Sequence, residues 1–175
     1  MTETDDVVRR LLGATTTWAV VGLRDNPVRA AHGVARFLQK RGKRIVPVHH
    51  HPQDVHGETA YPRLADIPFP VDVVDVFVNS ALAGGIADQA VAIGAKAVWF
   101  QLDVIDEDAY DRVTAAGLDM VMDRCPVIEW PRLGPVGLAR SGSETHPATA
   151  LAAQRLALGP GLVPEPDLEL RHPRP

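Results

Sequence analysis

Gly22, Arg24, Asn26 and Arg29 lie close together in the stretch TWAVVGLRDNPVR at residues 17–29, and together they suit an anion. An apolar run from Trp18 to Val21 meets Gly22, then a polar turn of Arg24, Asp25, Asn26 and Pro27, before a helical pattern begins. A strand that enters a helix through such a turn points backbone N–H groups and the positive end of the helix dipole at one place, which suits a phosphate. Arg24 and Arg29 add guanidinium groups that donate forked hydrogen bonds to phosphate oxygens. The stretch reads as the first ligand loop of a nucleotide-binding domain, with Gly22 either touching the ligand or simply permitting a turn at positive φ.

His49, His50 and His51 are consecutive, with His56 nearby. Adjacent side chains in extended chain point to opposite sides, and carboxylate or cysteine ligands at metal spacing are missing, so no metal centre is expected. The run is compatible with a histidine lining a ligand pocket and with a plain exposed loop. Cys125 is the only cysteine. It is either a small buried apolar residue or a thiolate favoured by the neighbouring Arg124. No nucleophile-elbow phrase and no recognisable set of serine, histidine and acid is present. Asp103, Asp106, Glu107 and Asp108 read as a helix start with a solvated face.

These groups need a scaffold, and the chain has the material for one. Its 175 residues, 46% of them hydrophobic and only 5% aromatic, allow one domain with a good core and a terminal extension. A net charge of −4 without a basic face argues against nucleic acid as a partner, so any bound anion is held locally. The acidic segment MTETDDVVRRLLG is unlike a secretory signal, and no apolar run approaches a membrane span. With a single cysteine excluding a disulfide framework, a cytoplasmic protein is expected, as monomer or homodimer.

Apolar spacing predicts a short helix over Thr4 to Leu12, covering one edge of a sheet, and a first strand from Thr17 to Gly22. A crossover helix follows over Val28 to Arg41, then strands over Arg44 to Val48 and Val71 to Val78, separated by an irregular segment rich in His, Pro and Gly. A second crossover helix spans Ala83 to Ile93, with strands at Ala97 to Leu102 and Leu118 to Met122 flanking a helix from Asp106 to Ala116. This alternation implies a Rossmann-like, doubly wound α/β fold: a mainly parallel five-stranded sheet with helices on both faces. Ligands of such sheets bind at the carboxyl ends of the strands, so the candidate site gathers the loops after Val21, Val48, Phe77 and Phe100. Residues 1–133 form the domain, and 134–175 a Pro/Gly-rich extension with a helical pattern only at Ala148 to Leu158.

The dinucleotide fingerprint needs three glycines and an acid at the end of the second strand. Here Arg24 and Pro27 occupy two of the glycine places and His49 the place of the acid, which disfavours NAD or FAD. The phrases AVVGLRDNPVRAAHGVARFLQKRGKRIVPV, HGETAYPRLADIPFPVDVVDVFV, AIGAKAVWFQLDVIDEDA and AGLDMVMDRCPVIEW, in that order, resemble the small bacterial CoA-binding proteins of the YccU type. Their domain is similar to the CoA-binding domain of the succinyl-CoA synthetase alpha subunit. The resemblance covers about Val7 to Leu133 and implies coenzyme A laid across the carboxyl ends of the strands.

Residue by residue, the resemblance implies ligand contact from Gly22, Leu23, Arg24, Asn26 and Arg29, from Val48 and His49, from Asn79 and Ser80, and from Gln101. It also places Cys125 at the rim of the same crevice, where a mixed disulfide with the thiol of CoA is one alternative and an inert thiol the other. Histidines 49–51 replace what is usually Asn, Pro and a basic residue, and Val78 replaces an arginine of many relatives, so phosphate contact from the second loop depends on histidine protonation. The phosphohistidine of the synthetase lies in a part absent here, so ligase chemistry is not carried over. The function implied is binding of CoA or an acyl-CoA as a carrier, sensor or thiol-protecting protein. The alternative is an NADP-linked or CoA-dependent enzyme.

Overall fold

A computed structural model describes residues 2–135. The expected helix at residues 148–158, with nearly all of the extension, lies outside the described residues.

Eleven elements alternate along the described chain. They are α1 (Glu3–Ala14), β1 (Thr17–Val21), α2 (Ala30–Gln39), β2 (Arg44–Val48), a 3-10 turn (Leu64–Asp66), β3 (Val73–Val76), α3 (Ser80–Ala92), β4 (Ala97–Phe100), α4 (Glu107–Ala115), β5 (Asp119–Val121) and α5 (Pro126–Leu133). The strands form one sheet in the order β2-β1-β3-β4-β5, and every pairing is parallel. Trp18 to Val21, Val73 to Val76 and Ala97 to Phe100 are buried throughout, because a parallel sheet is covered on both faces and each strand needs apolar side chains on both sides.

On one face α1, α2 and α5 pack over Trp18, Val20, Ile45, Val73 and Trp99, with the two tryptophan rings 5.6 Å apart. On the other, α3 and α4 pack over Ala19, Val46, Val74, Val98 and Phe100. The α3 contact is made by Ala83, Gly84, Ala87 and Ala90, small residues at helical spacing that bring the helix close to the strands.

Three features differ from the sequence reading. The first crossover helix starts at Ala30 rather than Val28, and Val28 is 91% exposed. The cause is the turn before it: Asn26 Oδ1 accepts from the Val28 N–H at 3.1 Å and the Asn26 carbonyl from the Arg29 N–H at 3.0 Å. Second, α3 begins a turn earlier than its apolar pattern, at Ser80. Third, α5 follows Cys125 with Pro126 in its first turn and Pro131 within it, a composition that hides a helix from propensity. α5 is tied to α1, where Asp5 Oδ1 accepts from Arg132 at 3.0 Å and from Arg124 at 3.3 Å. α1 therefore lies on the face near edge strand β5, to which Arg10 also bonds through Asp119 at 2.6 Å.

Candidate functional site

In the order β2-β1-β3-β4-β5, the chain passes from β1 to β2 on one side and then crosses back from β2 to β3 on the other side of β1, so the strand order reverses at β1. The loops part at that point and leave a crevice at the carboxyl ends of the strands. A cleft of about 610 Å³ occupies it. Gly22, Arg24 and Asn26 line it from the β1 loop, Arg29, Ala30 and Ala31 from the start of α2, and Val48, His49 and His50 from the end of β2. Phe77, Val78, Leu82, Ile86 and Gln89 form the opposite wall.

Gly22 is required here by backbone and by space. Its φ is +95°, and a Cβ would stand 3.1 Å from the Phe77 carbonyl oxygen. Its N–H is already used, donating to the Val48 carbonyl at 2.8 Å, and the N–H groups of Asn26, Val28 and Arg29 have acceptors within the loop. Four backbone donors of the glycine loop are thus occupied. The first turn of α2 adds others, since the leading N–H groups of a helix lack acceptors by geometry. Arg29, the residue at the N-cap, makes no capping bond with its side chain.

The segment after β2 returns to the sheet. Tyr61 forms a parallel bridge with Val48, donating its N–H to the Pro47 carbonyl at 2.9 Å and accepting from His49 N–H at 3.1 Å. That return places Pro62, Arg63 and Leu64 on the cleft. Arg63 is forked onto Asp66 at 2.8 and 3.0 Å, which engages part of its guanidinium. The tip of the segment is pinned to α2, with Gln39 donating to the His56 carbonyl at 3.1 Å and a His56 ring nitrogen 2.9 Å from the His32 carbonyl.

The histidine rings lie close and tilted to one another, with centroids of His49 and His50 4.1 Å apart and those of His50 and His51 4.3 Å apart. His49 Nδ1 lies 3.0 Å from the backbone N–H of His51 and accepts from it, which puts the proton of the neutral ring on Nε2. Partial burial, then the nearby charges of His50 and Arg24, hold the His49 imidazole below its usual value, while the His51 carbonyl works in the opposite direction. Three arginines and two histidines face the cleft, and no carboxylate lines it. Such a lining accepts a polyanion at one end, while Phe77, Val78, Leu82 and Ile86 offer an apolar wall to the rest of the ligand. Among the described residues no group of three metal-ligating side chains is disposed to hold an ion, which extends to the histidine run.

Of the residues singled out in the sequence, Gly22, Arg24, Asn26, Arg29, Val48 and His49 come together here. Leu23, Asn79, Ser80, Gln101 and Cys125 do not line the cleft. Leu23 is buried among α2 and α5 side chains. Asn79 is the exposed N-cap of α3. Ser80 Oγ accepts from Ile105 N–H at 3.0 Å and so holds the loop after β4. Gln101 is buried below that loop and donates to Asp75 Oδ1 at 2.6 Å. Cys125 stands at the start of α5, partly buried against the α1–α2–α5 core, and its neighbour Arg124 turns to Asp5 and Glu129. Arg63 and the α3 wall were missed as site residues, although the phrase YPRLADIP that carries Arg63 was part of the resemblance.

The parallel order with its crevice and cationic lining defines a nucleotide-type binding domain. Residues 16–131 match the family model of the CoA binding domain, and the chain belongs to that family. It is similar to the uncharacterized protein YneT of Bacillus subtilis, 32% identical over 118 residues that make up 67% of this chain and 87% of YneT. Among solved structures, a hypothetical protein from Pyrococcus horikoshii superposes with a TM-score of 0.71 at 35% identity, covering 76% of this chain and 92% of its own. A Thermus thermophilus protein superposes with a TM-score of 0.70 at 32% identity, covering 76% and 99%. No helix among the described residues is long and apolar enough to cross a membrane.

Proposed function

We propose that this chain binds coenzyme A or an acyl-CoA in the cleft and acts as a stand-alone carrier, sensor or thiol-protecting protein rather than as a catalyst. The observation that carries the reading is the lining itself: three arginines and two histidines with no carboxylate among the lining residues, beside apolar side chains of α3 and of the loop after β3. The phosphates of CoA suit the first part, by charge-assisted hydrogen bonds, and its pantetheine arm suits the second. Membership in the CoA binding domain family supports the ligand class. The lining holds histidine but no serine, threonine, cysteine or carboxylate beside it, which favours binding over covalent catalysis. A single cysteine in the chain is in keeping with a reducing, cytoplasmic setting.

Calorimetry with CoA under reducing conditions tests the reading. Saturable binding is expected, weakened by about 1.5–3 kcal/mol in Arg29→Ala through loss of a charged hydrogen bond. Absence of heat with CoA, together with saturable binding of NADP, would transfer the cleft to the enzyme alternative.

A further inference from the structure

We propose that His49 and His50 form a proton-linked subsite for a phosphate monoester on the ribose of the ligand, so that CoA binds with uptake of a proton and 3′-dephospho-CoA does not. The inference rests on the CoA reading above and concerns which part of that ligand the end of β2 recognises. In doubly wound sheets the end of the second strand meets the ribose, and a basic residue there accommodates a ribose phosphate. In this chain the residues at that place on the cleft are His49 and His50, their ring centroids 4.1 Å apart.

The surroundings make the charge of His49 conditional. Arg24 faces the two histidines from the β1 loop, Arg29 from the start of α2 and Arg63 from the returning segment, all lining the same cleft. The His51 ring lies 4.3 Å from that of His50, tilted to it, within the run. The wall contributed by α3 and the loop after β3 carries no ionisable group. No carboxylate lines the cleft, and Asp66 and Asp25 have partners of their own, Arg63 at 2.8 Å and His32 at 3.5 Å. Without a ligand, partial burial first, and then the charges of His50, Arg24 and His51, favour the neutral form of His49, against the pull of the His51 carbonyl. A dianionic phosphate in the cleft reverses that balance and favours the imidazolium.

A structural route for the proton exists at Nδ1. In the neutral ring it accepts from His51 N–H at 3.0 Å; once protonated it can donate to the His51 carbonyl, 3.3 Å away. The ring therefore keeps a backbone partner in both states. A phosphate monoester itself gains a proton near pH ~6 and loses charge there. Tighter binding toward that pH thus has its source in the protein.

The test is calorimetry of the full chain with CoA and with 3′-dephospho-CoA at about pH 6 and about pH 8, on the native protein and on His49→Gln with His50→Gln. CoA is expected to bind about five- to tenfold more tightly at the lower pH, as one histidine proton taken up across its titration range allows. Dephospho-CoA is expected to change by less than about twofold, and the double variant to lose the pH dependence for CoA. Equal affinity for CoA at both pH values, or the same pH dependence for dephospho-CoA or in the double variant, would overturn the subsite while leaving CoA binding intact. Absence of CoA binding at both pH values would instead overturn the reading on which it rests.

Discussion

Along the carboxyl edge of the sheet, the half over β2, β1 and β3 carries Arg24, Arg29, His49, His50 and Arg63, whereas the half over β4 and β5 carries Asp103, Asp106, Glu107, Asp108 and Asp123. The acidic half satisfies its own polar groups. Asp123 Oδ1 accepts from Asp103 N–H at 2.8 Å, Ser80 Oγ from Ile105 N–H at 3.0 Å, and Asp106 caps α4 through Ala109 N–H at 2.9 Å. The basic half does so only in part: Arg63 is forked onto Asp66, but α2 begins without a side-chain cap, and Arg24 and Arg29 line a cleft without carboxylates. The contrast shows why a net charge of −4 says little about ligands. Charge is sorted along the edge, and at physiological salt each half acts over about 8 Å, not over the whole molecule.

The strongest way to break this contrast is to invert one half at a time. Arg24→Glu with Arg29→Glu removes two charged hydrogen bonds from exposed positions and adds repulsion; about a thousandfold weaker CoA binding is expected. Glu107→Gln with Asp108→Asn, in the first turn of α4, should leave the affinity within about twofold, since screening isolates them. Equal losses from the two pairs, measured by calorimetry, would mean that binding follows overall charge and not the cleft.

The boundary between the halves is held by a buried pair. Asp75 on β3 is fully buried, accepts from Gln101, the residue after β4, through Oδ1, and has no partner for Oδ2. Burial pushes its carboxyl up from 3.8 to about 7, against the pull of the Gln101 amide. Because the folded-state value lies above the unfolded one, Asp75 contributes stability that is complete below pH 3.8, declines as pH rises and is gone above about 7. A ceiling of about 4 kcal/mol follows from the size of the rise. Asp75→Asn, which keeps the Gln101 bond but leaves an N–H unpaired, should therefore be more stable than the native protein by about 2 kcal/mol at pH ~8 and no more stable at pH ~4. Urea unfolding at both pH values measures it, and a constant difference between them would show that Asp75 is ionised in the fold.

Much of this contrast was legible in the sequence, and the losses have physical causes. The strands were visible as apolar runs because each is buried on both sides, and the β1 loop because Gly22, Asn26 and the two arginines sit beside each other in the chain. Gln101 was assigned to the ligand on resemblance; its amide donates to Asp75, a contact between strands that no spacing in the chain announces. Cys125 read either as a small buried residue or as a thiolate favoured by Arg124, and the sequence could not show Arg124 turned to Asp5 and Glu129, since a helix opened by one proline and interrupted by another has no propensity signal. Arg63 could not be placed without the Val48–Tyr61 bridge, which brings together residues from either end of an irregular segment.

The finest test uses α3, which borders both halves: Leu82, Ile86 and Gln89 line the cleft, while Gly84 faces the acidic loop. A Cβ on Gly84 would overlap Asp106 Oδ2, so Gly84→Ala displaces the carboxylate that caps α4 and should cost about 1 kcal/mol. Gly85 is exposed, lies within the same helix and has no atom near the place of a Cβ. Gly85→Ala should add about 0.5–1 kcal/mol through helix propensity alone. Neither change touches the cleft lining, so CoA affinity should stay within about twofold in both. Opposite shifts in the denaturation midpoint with unchanged affinity would show that the loop after β4 supports the fold without taking part in binding. A loss of affinity in Gly84→Ala alone would show instead that the acidic half reaches the ligand through α3, and the division of the edge would have to be redrawn at Ser80.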